Sequence, residues 1–382
     1  MVRSNTNALG IIFPNIYDKL VSELTNERLM ASIPFGSRYR MIDFLLSSMV
    51  NCGIDNISIL VRENYFSLTD HLGSGREWDL ARKNGGLNIF PPFAQKSMSV
   101  YGGRIEAMAG ILGFLRSQKE KYVVMSDTNI AMNFDFNAMI NAHVASGADI
   151  TVAYKKEEIP ADTAAMREDS SKGTYYTYDI DEDGRITGLH INSNKSGVQN
   201  YGMNVYVMER ELLIDTINTA FISGGIYFER DILLPHLEDM KICGYEYTGY
   251  TARILSLKGY FDENMKLLDD DNLDALFSGH SIYTKIRDDN PTRYIGDAKA
   301  SNVMIADGCV IEGEVENSIL FRGVKVGKGA KVKNCILMQD TIVEDGADIE
   351  YVITDKKVHI TEDKHLNGTD SFPVFVAKRQ TV

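Results

Sequence analysis

Small or aliphatic residues recur every six positions toward the C-terminal end of this chain, a period that neither an α-helix nor a flat strand produces. The rows run Val303, Cys309, Val315, then Val324, Ala330, Ile336, Ile342, and in parallel Val326, Val332, Met338. Turn residues keep step with them at Asp307-Gly308, Gly327, Gly329 and Asp345-Gly346. Each hexad therefore reads as one short strand and one corner of a parallel β-helix, with about three coils visible. Such a solenoid has open ends and exposed edges, so it serves assembly, or it stabilises the chain and does nothing more. A third reading is acyl transfer, but no histidine stands among the regular coils before His359.

Upstream, from Leu9 to about Leu268, the rhythm is different. Ile57 to Val61, Tyr122 to Met125 and Ile150 to Tyr154 are short β-rich runs, each preceded by an amphipathic stretch such as Ala107 to Leu115. That is the pattern of a parallel sheet covered by helices, in which ligands sit beyond the carboxyl ends of the strands. The informative loops are then those after Ile12, after Met125 and before Gly202. A polar, turn-rich stretch around Arg287 to Asp297 separates the two rhythms, which places an α/β domain at 1–286 and a β-helix at 287–382.

The 382 residues suffice for two cores, and no apolar run approaches the roughly 18 residues that span a bilayer. Forty Lys plus Arg against 53 Asp plus Glu give a net charge of −13, so the surface as a whole repels nucleic acid and anionic lipid. A phosphate ligand needs a local basic pocket. The four cysteines lie far apart with no CxxC pair, and the apolar stretch Ala8 to Phe13 is cut by Pro14 instead of leading to a cleavage site. A cytoplasmic setting is the expectation, with neither a zinc site nor a disulfide framework.

The stretch Pro34-Phe35-Gly36-Ser37-Arg38-Tyr39-Arg40-Met41-Ile42-Asp43-Phe44, followed by Asn51-Cys52-Gly53-Ile54, resembles the glucose-1-phosphate adenylyltransferases, or ADP-glucose pyrophosphorylases. Tyr201-Gly202-Met203, Glu263-Asn264-Met265 and Asn317-Ser318-Ile319-Leu320 extend the resemblance over nearly the whole chain. It implies a Rossmann-like, GT-A-like nucleotidyltransferase α/β domain followed by a left-handed β-helix of hexapeptide repeats. It also implies the reaction of ATP with glucose-1-phosphate to ADP-glucose and diphosphate, in glycogen biosynthesis.

Nucleotidyl transfer needs backbone amides for the triphosphate, carboxylates for Mg²⁺ and a cation for the sugar phosphate. Catalytic members carry Gly-Gly-x-Gly-x-Arg-Leu after the first strand. Ungapped counting from Phe35-Gly36 places that loop on Asn15-Ile16-Tyr17-Asp18-Lys19-Leu20-Val21, without any of its glycines. Side chains then occupy a turn that phosphate must approach closely, and Asp18 adds a negative charge. The same counting puts the first metal aspartate at Asn129, with Asp127 able to substitute only if the loop shifts. It puts the second metal aspartate at Arg253, and the sugar-phosphate lysine at Asn192. A positive charge about 4 Å from Mg²⁺ repels it by roughly 8 kcal/mol at an effective dielectric of 20. Gly-Thr-Ala-Asp-Ala becomes Gly103-Arg104-Ile105-Glu106-Ala107, and Arg104 and Arg253 are expected to close the former site through internal pairs such as Glu106, or to bind an anion there.

The chain thus resembles the GlgD-type, non-catalytic subunits of the family, with no catalytic residue, metal or cofactor of its own and Mg²⁺ only in a catalytic partner. That reading implies a regulatory role within a hetero-oligomer, expected to be a tetramer. Arg28, Arg40 and Lys356 match the family's pocket for phosphorylated effectors between the two domains, although Glu27 and Pro34 depart from it. Surface or interface salt bridges are the other reading of these basic residues. The remaining alternatives for the chain are an active adenylyltransferase with rearranged loops and a stand-alone sugar-phosphate or nucleotide sensor.

Overall fold

In the computed structural model, which describes residues 7–92, 101–169 and 173–382, the upstream rhythm forms a nine-stranded mixed sheet. Its centre is parallel: Ala8–Phe13 lies between Asn56–Leu60 and Tyr122–Asp127, and Gly86–Phe90 pairs the far side of Asn56–Leu60. The other half reverses. Val198–Glu209 runs antiparallel to both Tyr122–Asp127 and Ile150–Glu158, and a hairpin of Tyr176–Ile180 and Ile186–Ile191 leans on its first half. The expected parallel sheet is therefore found at the centre and extended by antiparallel strands into a mixed one, because apolar periodicity reports burial and says nothing of strand direction.

Alternate residues of the central strands feed two cores. Ile12, Ile57 and Val124 pack on one face, while Leu9, Ile11, Phe13 and Met125 pack on the other. The first face is covered by the helix Met41–Asn51, in which ten of eleven residues are buried. A Cβ at Gly10 would meet the Met49 sulfur at 2.8 Å, so glycine there lets this helix sit directly on the strand. The helix begins where the Arg40 backbone N–H donates to Asp43 Oδ2 at 2.9 Å.

Downstream, parallel strands stack into a solenoid. Glu314–Leu320 pairs Lys331–Lys333, which pairs Asp348–Glu350, which pairs His365–Asn367. Partners such as Glu314 and Lys331 lie 17 residues apart, one fewer than three hexads. The missing residue is at one corner, where Asn317 and Asn334 turn the chain with positive φ and the Asn317 amide donates to Asn334 Oδ1. Inward positions thus step Val324, Ala330, Cys335 and Val326, Val332, Leu337, all fully buried in the solenoid core.

That step corrects part of the hexad reading. Ile336 and Met338 point out of the coil into a third cluster with Phe35, Tyr260 and Leu267 of the upstream domain. Ile342 is 37% exposed. One wall of the solenoid is therefore an apolar face buried against the α/β domain. Polar contacts fasten the same joint: Ser37 Oγ donates to the Leu320 carbonyl at 3.2 Å, and Arg28 Nη2 donates to both carboxylate oxygens of Asp355 at 2.7 and 2.8 Å. Among the described residues no helix is long and apolar enough to cross a membrane.

Candidate functional site

A cleft of about 520 Å³ opens beyond the carboxyl ends of the parallel strands, where such sheets hold ligands. Asn15, Ile16 and Asp18 form one wall, Gly103 and Arg104 another, and Tyr176 a third. The loop after Ala8–Phe13 does not offer a row of bare amides. It closes into a 3₁₀ turn, Asp18–Val21, and the Asp18 carboxylate is already used, accepting the Met30 N–H at 2.7 Å. Tyr17 is buried beneath it, donating to the Thr174 carbonyl at 3.0 Å and accepting from the Asn204 amide at 2.6 Å.

The carboxylate at the strand end is Asp127, in register with Phe13, and not position 129. Asn129 lies past the strand, fully buried; its carbonyl accepts the Ile254 N–H at 2.8 Å, and it does not line the cleft. The ungapped count back from Asp135 lands two residues beyond the strand-end carboxylate. Asp127 does not stand free. Arg104 donates to it through Nη2 and through Nε, and reaches Glu229 through Nη1. All three side chains are at most 5% exposed. Tyr206 donates to the same Glu229 oxygen. Burial pushes the Asp127 carboxyl up to about 6, against the pull of Arg104.

Arg104 was expected to pair with Glu106. Glu106 instead accepts the Gly102 N–H, and the partners come from the strand end and from a π-helical turn, Glu229–Leu233. Glu229 carries no sequence motif. The sequence around it, Ile226 to Leu234, sets Glu229, Arg230 and Asp231 side by side among apolar residues and does not tell which of the three is buried.

Arg253 does not join this cluster. It lies on the short strand Ala252–Arg253, and its guanidinium stacks over the Tyr201 ring at 3.8 Å, donating to the Gly202 carbonyl and to Glu157. It lines a second cleft, whose far wall includes Asn317 and Asn334 of the solenoid. Asn192 sits in a positive-φ turn, where its side chain accepts the Tyr175 N–H and donates to the Met166 carbonyl. Of the loop and metal positions read from the sequence, the structure gathers Asn15, Ile16 and Asp18 around one cleft and leaves Asn129, Asn192 and Arg253 outside it.

These residues do not fit Mg²⁺. The strand-end carboxylate is engaged by a guanidinium, Arg253, the residue that the sequence reading sets at the second metal position, is another, and the described residues contain no group of three metal-ligating side chains.

A third cleft, about 160 Å³, lies at the domain joint and is strongly basic. Arg38, Arg40, Lys285, Arg287, Arg322 and Lys356 line it, against Asp70. Arg40 donates to the Ser67 carbonyl at 2.6 Å; burial lowers its guanidinium to about 10. Burial, then Arg40, then Arg28 hold the Lys356 ammonium well below its ordinary range. Arg28 does not line this cleft; it is buried behind it, on Asp355. Glu27 pairs with Lys378.

Burial also pushes Asp18 up to about 7, with the Met30 N–H opposing. A carboxyl raised on folding contributes stability below its unfolded value near 4, and that stability is lost as pH rises toward 7. Asp18→Asn keeps the acceptor and removes the charge. In urea unfolding its advantage over the wild type should therefore grow by about 1 kcal/mol between pH 6 and pH 8.5; an advantage equal at both pH values contradicts the assignment.

Residues 19–164 match the family model described as nucleotidyl transferase, and residues 286–371 the one described as GlmU-like, C-terminal hexapeptide. Fold and matches define the class: a nucleotidyltransferase-type α/β domain carrying a hexapeptide-repeat solenoid. The chain is 33% identical over 376 residues to the glycogen biosynthesis protein GlgD of Bacillus subtilis (strain 168), covering 98% of this chain and 96% of that one. It is 37% identical over 335 residues to the GlgD of Geobacillus stearothermophilus, covering 86% and 83%. To the glucose-1-phosphate adenylyltransferase of the same organism it is 31% identical over 319 residues, covering 81% and 79%. The chain belongs to the glucose-1-phosphate adenylyltransferase family, among its GlgD relatives.

Proposed function

We propose that this chain is a regulatory subunit in glycogen biosynthesis, retaining the nucleotidyltransferase fold without the chemistry and modulating a catalytic glucose-1-phosphate adenylyltransferase partner in a cytoplasmic hetero-oligomer, a tetramer. One observation carries the reading: the Arg104 guanidinium already occupies the strand-end carboxylate that would have to hold Mg²⁺. Asp18 and the side chains of the first loop reinforce it, because they stand where a triphosphate needs bare N–H groups. That Geobacillus stearothermophilus has both a GlgD relative and an adenylyltransferase relative supports the two-subunit arrangement.

The chain would act by binding its partner differently in two states, and an effector held here would shift the partner by its differential affinity. The basic cleft at the domain joint supports a phosphorylated effector, bound by Arg40 and Lys356 with Arg28 bracing the wall behind. The test is steady-state kinetics of a catalytic adenylyltransferase with and without this chain. A changed turnover, substrate affinity or effector response on mixing is expected. With Lys356→Gln the effector part of that change should fall by about tenfold while the subunits still associate. Unchanged kinetics, together with saturable ligand binding by the isolated chain, would favour a stand-alone sensor.

A further inference from the structure

Among the cations that line the small cleft at the domain joint, Arg38, Arg40, Arg322 and Lys356 have no carboxylate within ion-pair distance among the described residues. The carboxylates nearby are already engaged. Asp355 gives both oxygens to Arg28, Asp43 accepts the Arg40 N–H and pairs with His71, and Asp70 pairs with Lys285. The Lys356 Nζ makes no hydrogen bond at all among the described residues. Facing it are Arg40, Arg28 and Lys378 against Asp355, with the His71–Asp43 pair beyond. A half-buried amine set among guanidinium groups gives up its proton more readily than an exposed lysine and becomes a nucleophile.

The same cleft selects what such an amine meets. Unpaired guanidinium groups gather phosphate, and about 160 Å³ admits a compact molecule but no nucleotide-bearing thioester. We propose that Lys356 is an acylation site for short acyl phosphates, with Arg38, Arg40 and Arg322 holding the phosphate while the Lys356 amine takes the acyl group. The inference rests on the reading of this cleft as the seat of a phosphorylated effector. The amine lone pair attacks the carbonyl carbon; a C–N bond forms and the C–O bond to phosphate breaks. Phosphate leaves with the electrons of that bond and takes up the proton that the amine loses, so the products are an amide and inorganic phosphate. Nothing is oxidised or reduced. The amide cannot be protonated and its acyl group fills part of the cleft, so an acylated chain grips a phosphorylated effector less firmly. Through Lys356 this chain would register the supply of activated acyl groups.

The experiment uses the full chain and acetyl phosphate as the probe, with peptide mass spectrometry following each lysine. Lys356 should be acetylated at least about tenfold faster than Lys299, which is 72% exposed and would lead if access alone decided. Between pH 7 and pH 9 the rate at Lys299 should rise about tenfold per pH unit, and the rate at Lys356 much less. Inorganic phosphate should protect Lys356 and not Lys299. Arg38→Gln changes an exposed side chain without an ion-pair partner among the described residues. It should slow the reaction of Lys356 with acetyl phosphate about fivefold and leave that with neutral acetic anhydride unchanged. Acetylation of Lys356 no faster than that of Lys299 overturns the proposal; calorimetric binding of inorganic phosphate would then leave the effector reading standing. A preference for Lys356 with acetic anhydride but not with acetyl phosphate, and no calorimetric binding of phosphate, overturns the effector reading and the proposal together.

Discussion

Ile336→Asp should cost about 4 kcal/mol or more, whereas Ile342→Asp should stay within about 0.5 kcal/mol of the wild type. Both positions fall in one hexad row, and a regular six-residue solenoid would give them the same environment. The structure separates them. Ile336 is fully buried in the cluster that Phe35, Tyr260 and Leu267 share with the outer wall of the solenoid, while Ile342 is 37% exposed. An aspartate at 336 places a carboxylate in an apolar joint without a cationic partner among the cluster's apolar side chains. At 342 the carboxylate remains in water. Urea unfolding followed by far-UV circular dichroism decides the matter; equal losses at the two positions would mean that the wall facing the α/β domain has been assigned wrongly.

Arg28→Met should cost about 3–5 kcal/mol, and most of that loss should return when Asp355→Asn is added. Arg28 is 2% exposed and is the side chain whose guanidinium neutralises Asp355. Removing it leaves a buried carboxylate that still accepts the Lys356 N–H at 2.6 Å but has lost its counter-charge. Asparagine keeps that acceptor without the charge, so the double variant exchanges an ion pair for neutral groups instead of breaking it. The assignment also bears on function. Arg28 acts first on the joint between the domains, so its variants should lower stability, whereas variants of Arg40 and Lys356 in the open basic cleft should alter ligand response. A double variant no more stable than Arg28→Met would show that Asp355 is not what Arg28 holds.

The solenoid was legible because its repeat is local: Val324 and Ala330, or Val326 and Val332, announce it without reference to the rest of the chain. Its true period was hidden by one residue. The inward step from Ala330 goes to Cys335 and not to Ile336, because Asn334 turns the corner alone with positive φ. Both 335 and 336 are apolar, so the pattern could not tell which faces in. The parallel half of the sheet was legible for a similar reason. The antiparallel course of Val198–Glu209 was not, since direction is decided by connections across the fold.

In the candidate site, the loss of loop glycines at Asn15 to Val21 could be read directly from the sequence, because a close approach to phosphate is a backbone property. The pairing of Arg104 with Glu229 could not, because it joins residues 125 positions apart. Sequence reasoning identified Arg104 as an intruding charge and chose its nearest carboxylate, Glu106, as partner. Burial chose instead the two carboxylates that could not remain unpaired.

The account turns on whether this chain can transfer an adenylyl group at all. Purified alone, with ATP, glucose-1-phosphate and Mg²⁺, it should form ADP-glucose at least about 1000-fold more slowly than a catalytic relative at the same concentration, if, as proposed, both metal-assisted and backbone stabilisation of the phosphates are missing. ADP-glucose formation within tenfold of that relative, dependent on Mg²⁺ and lost on Asp127→Asn, would contradict it.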